Sequence, residues 1–389
     1  MYYANEIVRE LEQSSQIAIF GAGIMAFNVA GCLLEKPYEL NITCCLVSDL
    51  KANPPSVIGI PVIDFSMAKH MLKKDATILV GAALGKNLAS MQERLRENGY
   101  FHMISFTYEG DLWSLLRGNS FREFLSSQNQ PYLTLEEELE RTVDCEEVCE
   151  KSIQIYTAKC HVDRPIGEEL SRYTWETPIQ VGADLTQERI CQILDNTGDH
   201  ISHKNRQYCE ITALYWIWKN DRSDFVGLGH YRRHFELSEE KIRRLTNSDI
   251  DVVLTIPIFD YPSVEAVYRR DHEGNDWEVM LKAIEGLTPE YMREAEELQS
   301  GRYYNAYNMF LMRREILEDY CEWLFPILSY CEAYCKEKRD TYQNRYLGFL
   351  AEHLMAIYFL HHKNSYKIVY ARKHFVEDTG VLVYNPESE

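Results

Sequence analysis

A chain of 389 residues, 46% of them hydrophobic and 26% charged, has ordinary globular composition and the length of two domains. Its formal net charge of −19 excludes a general nucleic-acid binder, because phosphate affinity needs clustered Lys and Arg, yet leaves room for a local anion site made by a few arginines. No apolar run reaches the roughly 20 residues of a membrane helix, and the opening MYYANEIVRELEQ reads as a short polar helix without a secretory leader, so a cytoplasmic location is expected.

Residues 17–20 form a short apolar strand that ends at Gly21-Ala22-Gly23, and a helical stretch follows from 24 to 34. Further apolar runs at 42–47, 60–63 and 76–80 alternate with helical stretches, the pattern of a parallel sheet with helices on its faces. The strand–turn–helix context fits GxGxxA. Gly21 permits the tight turn, Gly23 lets backbone approach a pyrophosphate, Ala26 lets helix and strand pack closely, and Asp49 stands at the distance of a ribose-binding acid. A tight turn with no ligand explains the same glycines, and a dinucleotide at this domain stays open. The phrase Gly59-Ile60-Pro61-Val62-Ile63 resembles small Rossmann-like domains attached to sugar-modifying enzymes, in which the ligand is often a nucleotide sugar or is unidentified.

Residues 131–150 are strongly acidic with Leu and Val at helical spacing, which predicts a solvated linker helix between a Rossmann-like domain at 1–130 and a second α/β domain at 151–389. In the second domain strands are predicted at 152–158, 225–228, 251–258 and 368–370, and helices at 209–218, 276–284, 314–337 and 346–361. The cysteines number eleven; the pairs Cys145/Cys149 and Cys331/Cys335 lack zinc-site spacing and read as reduced thiols. The aromatic set Tyr215, Trp216, Trp218, Trp323 and Phe325 has helical spacing and reads as core.

The informative residues form a series. Asp195-Asn196-Thr197-Gly198-Asp199-His200-Ile201-Ser202-His203-Lys204-Asn205 leads to Tyr208-Cys209-Glu210-Ile211-Thr212, then to Gly227-Leu228-Gly229-His230-Tyr231-Arg232-Arg233-His234-Phe235, and later come Asn305-Ala306-Tyr307-Asn308 and Arg345 to Leu354. Over residues 152–375 this series resembles a formerly uncharacterised domain family common in bacterial capsular and exopolysaccharide biosynthesis proteins, assigned to glycosyltransferases of GT-A type. The resemblance implies a GT-A-like α/β fold and nucleotide-sugar-dependent transfer.

Many enzymes of GT-A type carry an Asp-x-Asp metal motif after a strand. None follows the strand at 225–228, and Asp249-Ile250-Asp251 precedes a strand, so no metal ligands are assigned and the need for a divalent metal is left open. His230, Arg232 and Arg233 are instead expected to balance the leaving diphosphate, with structural ion pairs as the alternative. His161, at the end of the first strand, with Asp195, Asn196, Ser202 and Asn205, suits nucleotide recognition; the short polar side chains equally suit turns and caps. Glu210, on an apolar helix, needs a buried Arg or a ligand hydroxyl as partner. Asn305 and Asn308 could contact sugar hydroxyls or cap a turn. Glu352 is the candidate base for an acceptor hydroxyl, with Asp271 and Asp276 competing, and an ion pair with Arg345 as the structural alternative.

The expected donor is a UDP-hexose, with galactosyl and galactofuranosyl groups as candidates, and the expected acceptor a growing glycan or lipid-linked sugar. Lys363, Lys367, Arg372 and Lys373 could touch anionic lipid at the inner membrane face. A non-catalytic nucleotide-sugar-binding or regulatory protein is the alternative. An NAD-dependent epimerase or dehydrogenase would need a Tyr-x-x-x-Lys pair in the first half, which the sequence lacks.

Overall fold

The structure is a computed structural model that describes residues 2–83, 85–142, 151–164, 175–336, 338 and 340–376. It divides into two units, one holding the residues up to Pro131 with Phe259–Pro262, the other Tyr132–Ile258 with the described residues from Ser263 onward.

The first unit runs α1 (Tyr2–Gln13), β1 (Ile17–Phe20), α2 (Ile24–Leu33), β2 (Ile42–Val47), β3 (Ser56–Val57), β4 (Ile60–Asp64), α3 (Phe65–Met71), β5 (Thr77–Ala82), α4 (Leu88–Glu97), β6 (Met103–Thr107) and α5 (Asp111–Ser127). The sheet order is β3-β4-β2-β1-β5-β6, parallel except for the β3–β4 hairpin. Strands built from Ile, Val, Leu and Cys bury both faces, as a doubly wound sheet requires. Ala68 of α3 and Leu95 of α4 pack with Ala18, Leu46 and Val80 on one face. The order reverses at β1, so Gly21 stands at the switch point where such sheets take ligands.

The second unit runs α6 (Leu135–Arg141), β7 (Ile153–Lys159), β8 (Glu176–Gln180), β9 (Ile193–Leu194), α7 (Asn205–Tyr208), α8 (Ile211–Asn220), β10 (Phe225–His230), β11 (Arg233–Phe235), α9 (Glu239–Asn247), β12 (Val252–Thr255), β13 (Ile258–Phe259), α10 (Val264–Asp271), α11 (Asp276–Leu287), α12 (Met292–Ser300), β14 (Tyr303–Tyr304), β15 (Phe310–Arg313), α13 (Arg314–Tyr334), α14 (Tyr346–His361), β16 (Ile368–Ala371) and β17 (Lys373–Phe375). A mixed sheet follows the order β16-β12-β15-β10-β7-β8-β9, with β11 joining β10 to β17. Alternation along the strands splits the core. Tyr156, Val226, Leu254 and Phe310 face α8, α11, α13 and α14, whereas Ile155, Phe225, Val253 and Leu311 face α6 and α9. The mixed α/β architecture expected from the sequence is present.

Two expectations change. The acidic segment is not a solvated linker where it is described: Leu135 and Leu139 are one helical turn apart and both are buried in the second unit's core, while residues 143–150, with Cys145 and Cys149, lie outside the described residues. The helix expected from 209 begins at Ile211, because Cys209 has a φ of 51° and breaks α7 from α8. The basic residues near the C-terminus are engaged locally. Lys367 pairs with Glu138 and Asp249 at 2.7 Å each, Lys363 lies 3.8 Å from Glu297, and Lys373 sits over the Tyr307 ring. Cys331 and Cys335 are free thiols, and Trp218 stacks on Phe325 at 5.4 Å beside Tyr215, as core packing predicts. Among the described residues no helix is long and apolar enough to cross a membrane.

Candidate functional site

The carboxyl ends of β7, β8 and β10 open onto a cavity of about 900 Å³. β7 runs parallel to both neighbours, so Ala158 and His161, Val181 and His230 arrive at one edge of the sheet. Gly348, Phe349 and Glu352 of α14 supply the facing wall.

Glu352 is half-buried there. Burial pushes its carboxyl up to about 8, the charge of Glu210 adds to the rise, and the Tyr307 backbone N–H, Arg233 and Arg345 oppose it. Glu210 is buried; its Oε1 accepts from Asn308 Nδ2 at 2.6 Å and lies 4.0 Å from His230 Nε2. His230 Nε2 donates to the Tyr307 carbonyl, which leaves Nδ1 as the bare ring nitrogen. Burial holds the imidazole below its ordinary pKa and Arg233 pushes the same way, against the pull of Glu210. His230 is therefore neutral at neutral pH. The direction of this shift weighs against a share for His230 in the positive charge, and the ring acts on the Tyr307 carbonyl as a hydrogen-bonding group.

Sequence reasoning missed Tyr307. Tyr307 and Asn308 are consecutive non-glycine residues with φ of 73° and 50°, a conformation costing about 1–2 kcal/mol per residue. The kink is held from several sides: the Tyr307 carbonyl by His230, its N–H by Glu352, and Asn308 Nδ2 by Glu210 and the Gly348 carbonyl at 3.2 Å. Strain of this kind persists where the surroundings over-determine it, and it clusters at functional sites. Asn308 thus orients Glu210 from behind the wall and is absent from the cavity lining.

The cavity lining carries four guanidinium groups, Arg206, Arg232, Arg233 and Arg345, against three carboxylates, Asp163, Glu210 and Glu352. With Glu352 largely protonated at neutral pH the balance is cationic, inside a chain of net charge −19. Arg233 lies 4.2 Å from the Tyr307 ring centroid. Arg232 lies over Phe375 at 4.6 Å, and its Nε donates to the Val376 carbonyl at 2.8 Å, so it also anchors the last strand. Arg345 donates to Cys209 Sγ at 3.1 Å instead of forming an ion pair with Glu352. Burial pushes that thiol up to about 12.

His161, Asn205, Glu210, His230, Arg232, Arg233 and Glu352 are thus brought to one cavity. Asp195, Asn196, Ser202 and Asn305 do not line it, and their side chains are engaged elsewhere. Asp195 is fully buried and accepts from Gly182 N, Ala183 N, Ser202 Oγ and Thr212 Oγ1, so it has no oxygen to spare for a ribose. Asn196 Nδ2 donates to Asp184, and Asn305 Nδ2 to the Thr255 carbonyl. Asn205 serves both purposes: its Nδ2 donates to the Cys209 carbonyl at 2.7 Å while the residue lines the cavity. Neither competing acid lines it; Asp276 pairs with Lys338 at 2.9 Å and Asp271 with Arg270 at 2.7 Å. Asp251 pairs with Arg313 and Asp249 with Lys367.

In the first unit Gly21 has a φ of 120° and Gly23 stands at the N-cap of α2 with no side-chain cap; a Cβ on either would meet nothing within 4 Å. Ala26 is buried against the sheet. Asp49 is exposed, and one oxygen accepts the Lys51 N–H at 2.9 Å.

Residues 167–364, just over half of the 389-residue chain, match the model of a family described as a domain of unknown function, DUF4422, and the chain belongs to that family. No curated protein matches the chain. Among solved structures it is similar to the bifunctional glycosyltransferase WbbM in its apo form, with 28% identity and a TM-score of 0.50. The match covers 61% of this chain and 48% of that one, so this chain matches about half the length of WbbM.

Proposed function

We propose that the second unit is a nucleotide-sugar-dependent glycosyltransferase of GT-A type, acting in capsular or exopolysaccharide biosynthesis. The observation that carries this reading is a cationic cavity at the carboxyl ends of parallel strands with a carboxyl of raised pKa in its wall. The similarity to a protein named as a bifunctional glycosyltransferase supports the reaction class.

In this reading Arg232 and Arg233 hold the diphosphate of a UDP-hexose. Fixed guanidinium groups in a partly dry cavity stabilise charge as the bond from the sugar's anomeric carbon to the diphosphate oxygen breaks. His161 and Asn205 shape the nucleotide end. Glu352, poised near working pH, takes the proton of the acceptor hydroxyl as that oxygen attacks the anomeric carbon. Neutral His230 and Glu210 hold the Tyr307–Asn308 kink and with it the position of Glu352. The acceptor is a glycan or lipid-linked sugar, and the enzyme works at the cytoplasmic face of the membrane. In the first unit the Gly21–Ala26 turn is a site for a nucleotide or nucleotide sugar, through backbone amides at the start of α2.

The test is a donor panel, UDP-galactopyranose and UDP-galactofuranose first, scored for nucleotide release and for sugar transfer with and without a chelator. Release that persists with chelator is expected. Activity abolished by chelator and restored by Mg²⁺ alone would overturn the arginine assignment, and tight donor binding without turnover would leave a regulatory sugar-nucleotide binder.

A further inference from the structure

We propose that Asp184, His200 and His203 form a binding site for a first-row divalent metal ion, zinc by the chemistry of its donors, that clamps the loop after β8 to the loop before α7. Their ligand atoms all lie within 4.8 Å of one another. His200 Nδ1 stands 3.6 Å from Asp184 Oδ2. Two donors bound at about 2.0–2.2 Å around a tetrahedral ion lie roughly 3.3–3.6 Å apart, so this pair already has the spacing of one edge, and the ion would displace the Ser202 N–H that lies 3.4 Å from the same Nδ1. His203 is exposed, and binding requires its ring nitrogen to close in from within 4.8 Å to the same spacing.

The backbone that carries these three groups is held in place by other contacts. Buried Asp195 accepts from Gly182 N at 2.8 Å, from Ala183 N at 3.0 Å and from Ser202 Oγ, so one carboxylate ties both loops together. Ser202 Oγ in turn accepts the Asp184 N–H at 3.1 Å. Asn196 Nδ2 donates to Asp184 Oδ1 at 3.0 Å and leaves Oδ2 turned to His200, the kind of outer partner that orients a carboxylate ligand. Asp195, Asn196 and Ser202, chosen from the sequence for substrate, thus form the support of a different site.

One carboxylate and two imidazoles suit zinc, cobalt or nickel, whereas calcium and magnesium take oxygen donors. Three protein ligands leave a position open to water. None of the three lines the cavity, but Leu185 and Asn205, close to them in the chain, do. The clamp therefore acts on the rim of the cavity, and it does not depend on the transferase reading.

Cobalt is the probe. The full chain, stripped with chelator and desalted, is titrated with Co²⁺ and then with Zn²⁺. The expected result is one equivalent of visible d–d absorption, bleached by zinc and unaffected by Mg²⁺. His203→Ala abolishes the absorption while its metal-free melting temperature matches the parent. Asn196→Ala weakens cobalt binding on the order of tenfold, and His161→Ala, in the cavity, leaves it intact. Absence of the band, or a band that survives in both His200→Ala and His203→Ala, overturns the site and reduces Asp184–His200 to an ion pair. Sugar transfer is assayed on the same metal-free sample, so loss of the metal site and loss of the transferase reading are read separately.

Discussion

The turn after β1 and the cavity beyond β7, β8 and β10 both sit at the carboxyl ends of parallel strands, and they are built in opposite ways. The turn is contiguous: Gly21, Gly23 and Ala26 act through backbone freedom and small size, and no side-chain chemistry is involved. The cavity is assembled from positions as distant as His161 and Glu352, and its geometry depends on a strained dipeptide pinned by Glu210, His230 and Glu352. Contiguous sites are tuned by which residues the backbone tolerates. Assembled sites are tuned by charge, because bringing ionisable groups into a shared dry space shifts them.

That contrast can be broken by experiment. The largest expected effect is in the cavity: Glu352→Gln keeps shape and hydrogen bonding but cannot accept a proton, and should lower kcat by about 10²–10⁴, measured as transfer to acceptor under saturating donor. A fall of less than tenfold would remove Glu352 from the chemistry. Next is Asp195→Ala, which strands buried donors at Gly182, Ala183 and Ser202 and should cost about 3 kcal/mol in urea denaturation. A substrate-binding Asp195 would instead raise KM at unchanged stability.

A smaller effect belongs to the contiguous site. Gly21→Ala at a φ of 120° meets no clash, so its cost of about 1–3 kcal/mol is purely conformational and should appear in the unfolding of the first unit. The smallest is electrostatic. Glu352 must be ionised to act as base, so the transfer rate should climb with pH through about 8. Glu210→Gln removes a charge that raises that value, and the climb should move to lower pH. A profile that stays put would mean that desolvation alone sets it.

How much of this was legible follows from range. The alternation of strands and helices is local, and β1, β2, β4, β5, β7, β10, α11 and α14 fall where periodicity places them. β8, whose residues are Glu-Thr-Pro-Ile-Gln, was missed because it has neither an apolar run nor clean alternation. Glu352, His230, Arg232 and Arg233, which share one cavity, are legible as candidates because ionisable groups beside apolar strands and helices are visible in one dimension. The buried contacts of Asp195 are not legible because its partners Gly182 and Thr212 stand 13 and 17 residues away and only the folded chain brings them close.

The amino-acid sequence by itself determined the two α/β units, the glycine turn and the charged residues that the second unit offers at its strand ends, because these rest on periodicity, backbone tolerance and residue type. Tertiary structure alone decided which of those residues share a cavity, that His230 is neutral, that Tyr307 carries the kink, and that Asp195 and Ser202 support Asp184, His200 and His203. Those outcomes depend on burial and on hydrogen bonds across long stretches of chain, and neither quantity exists until the sheet and its helices have packed.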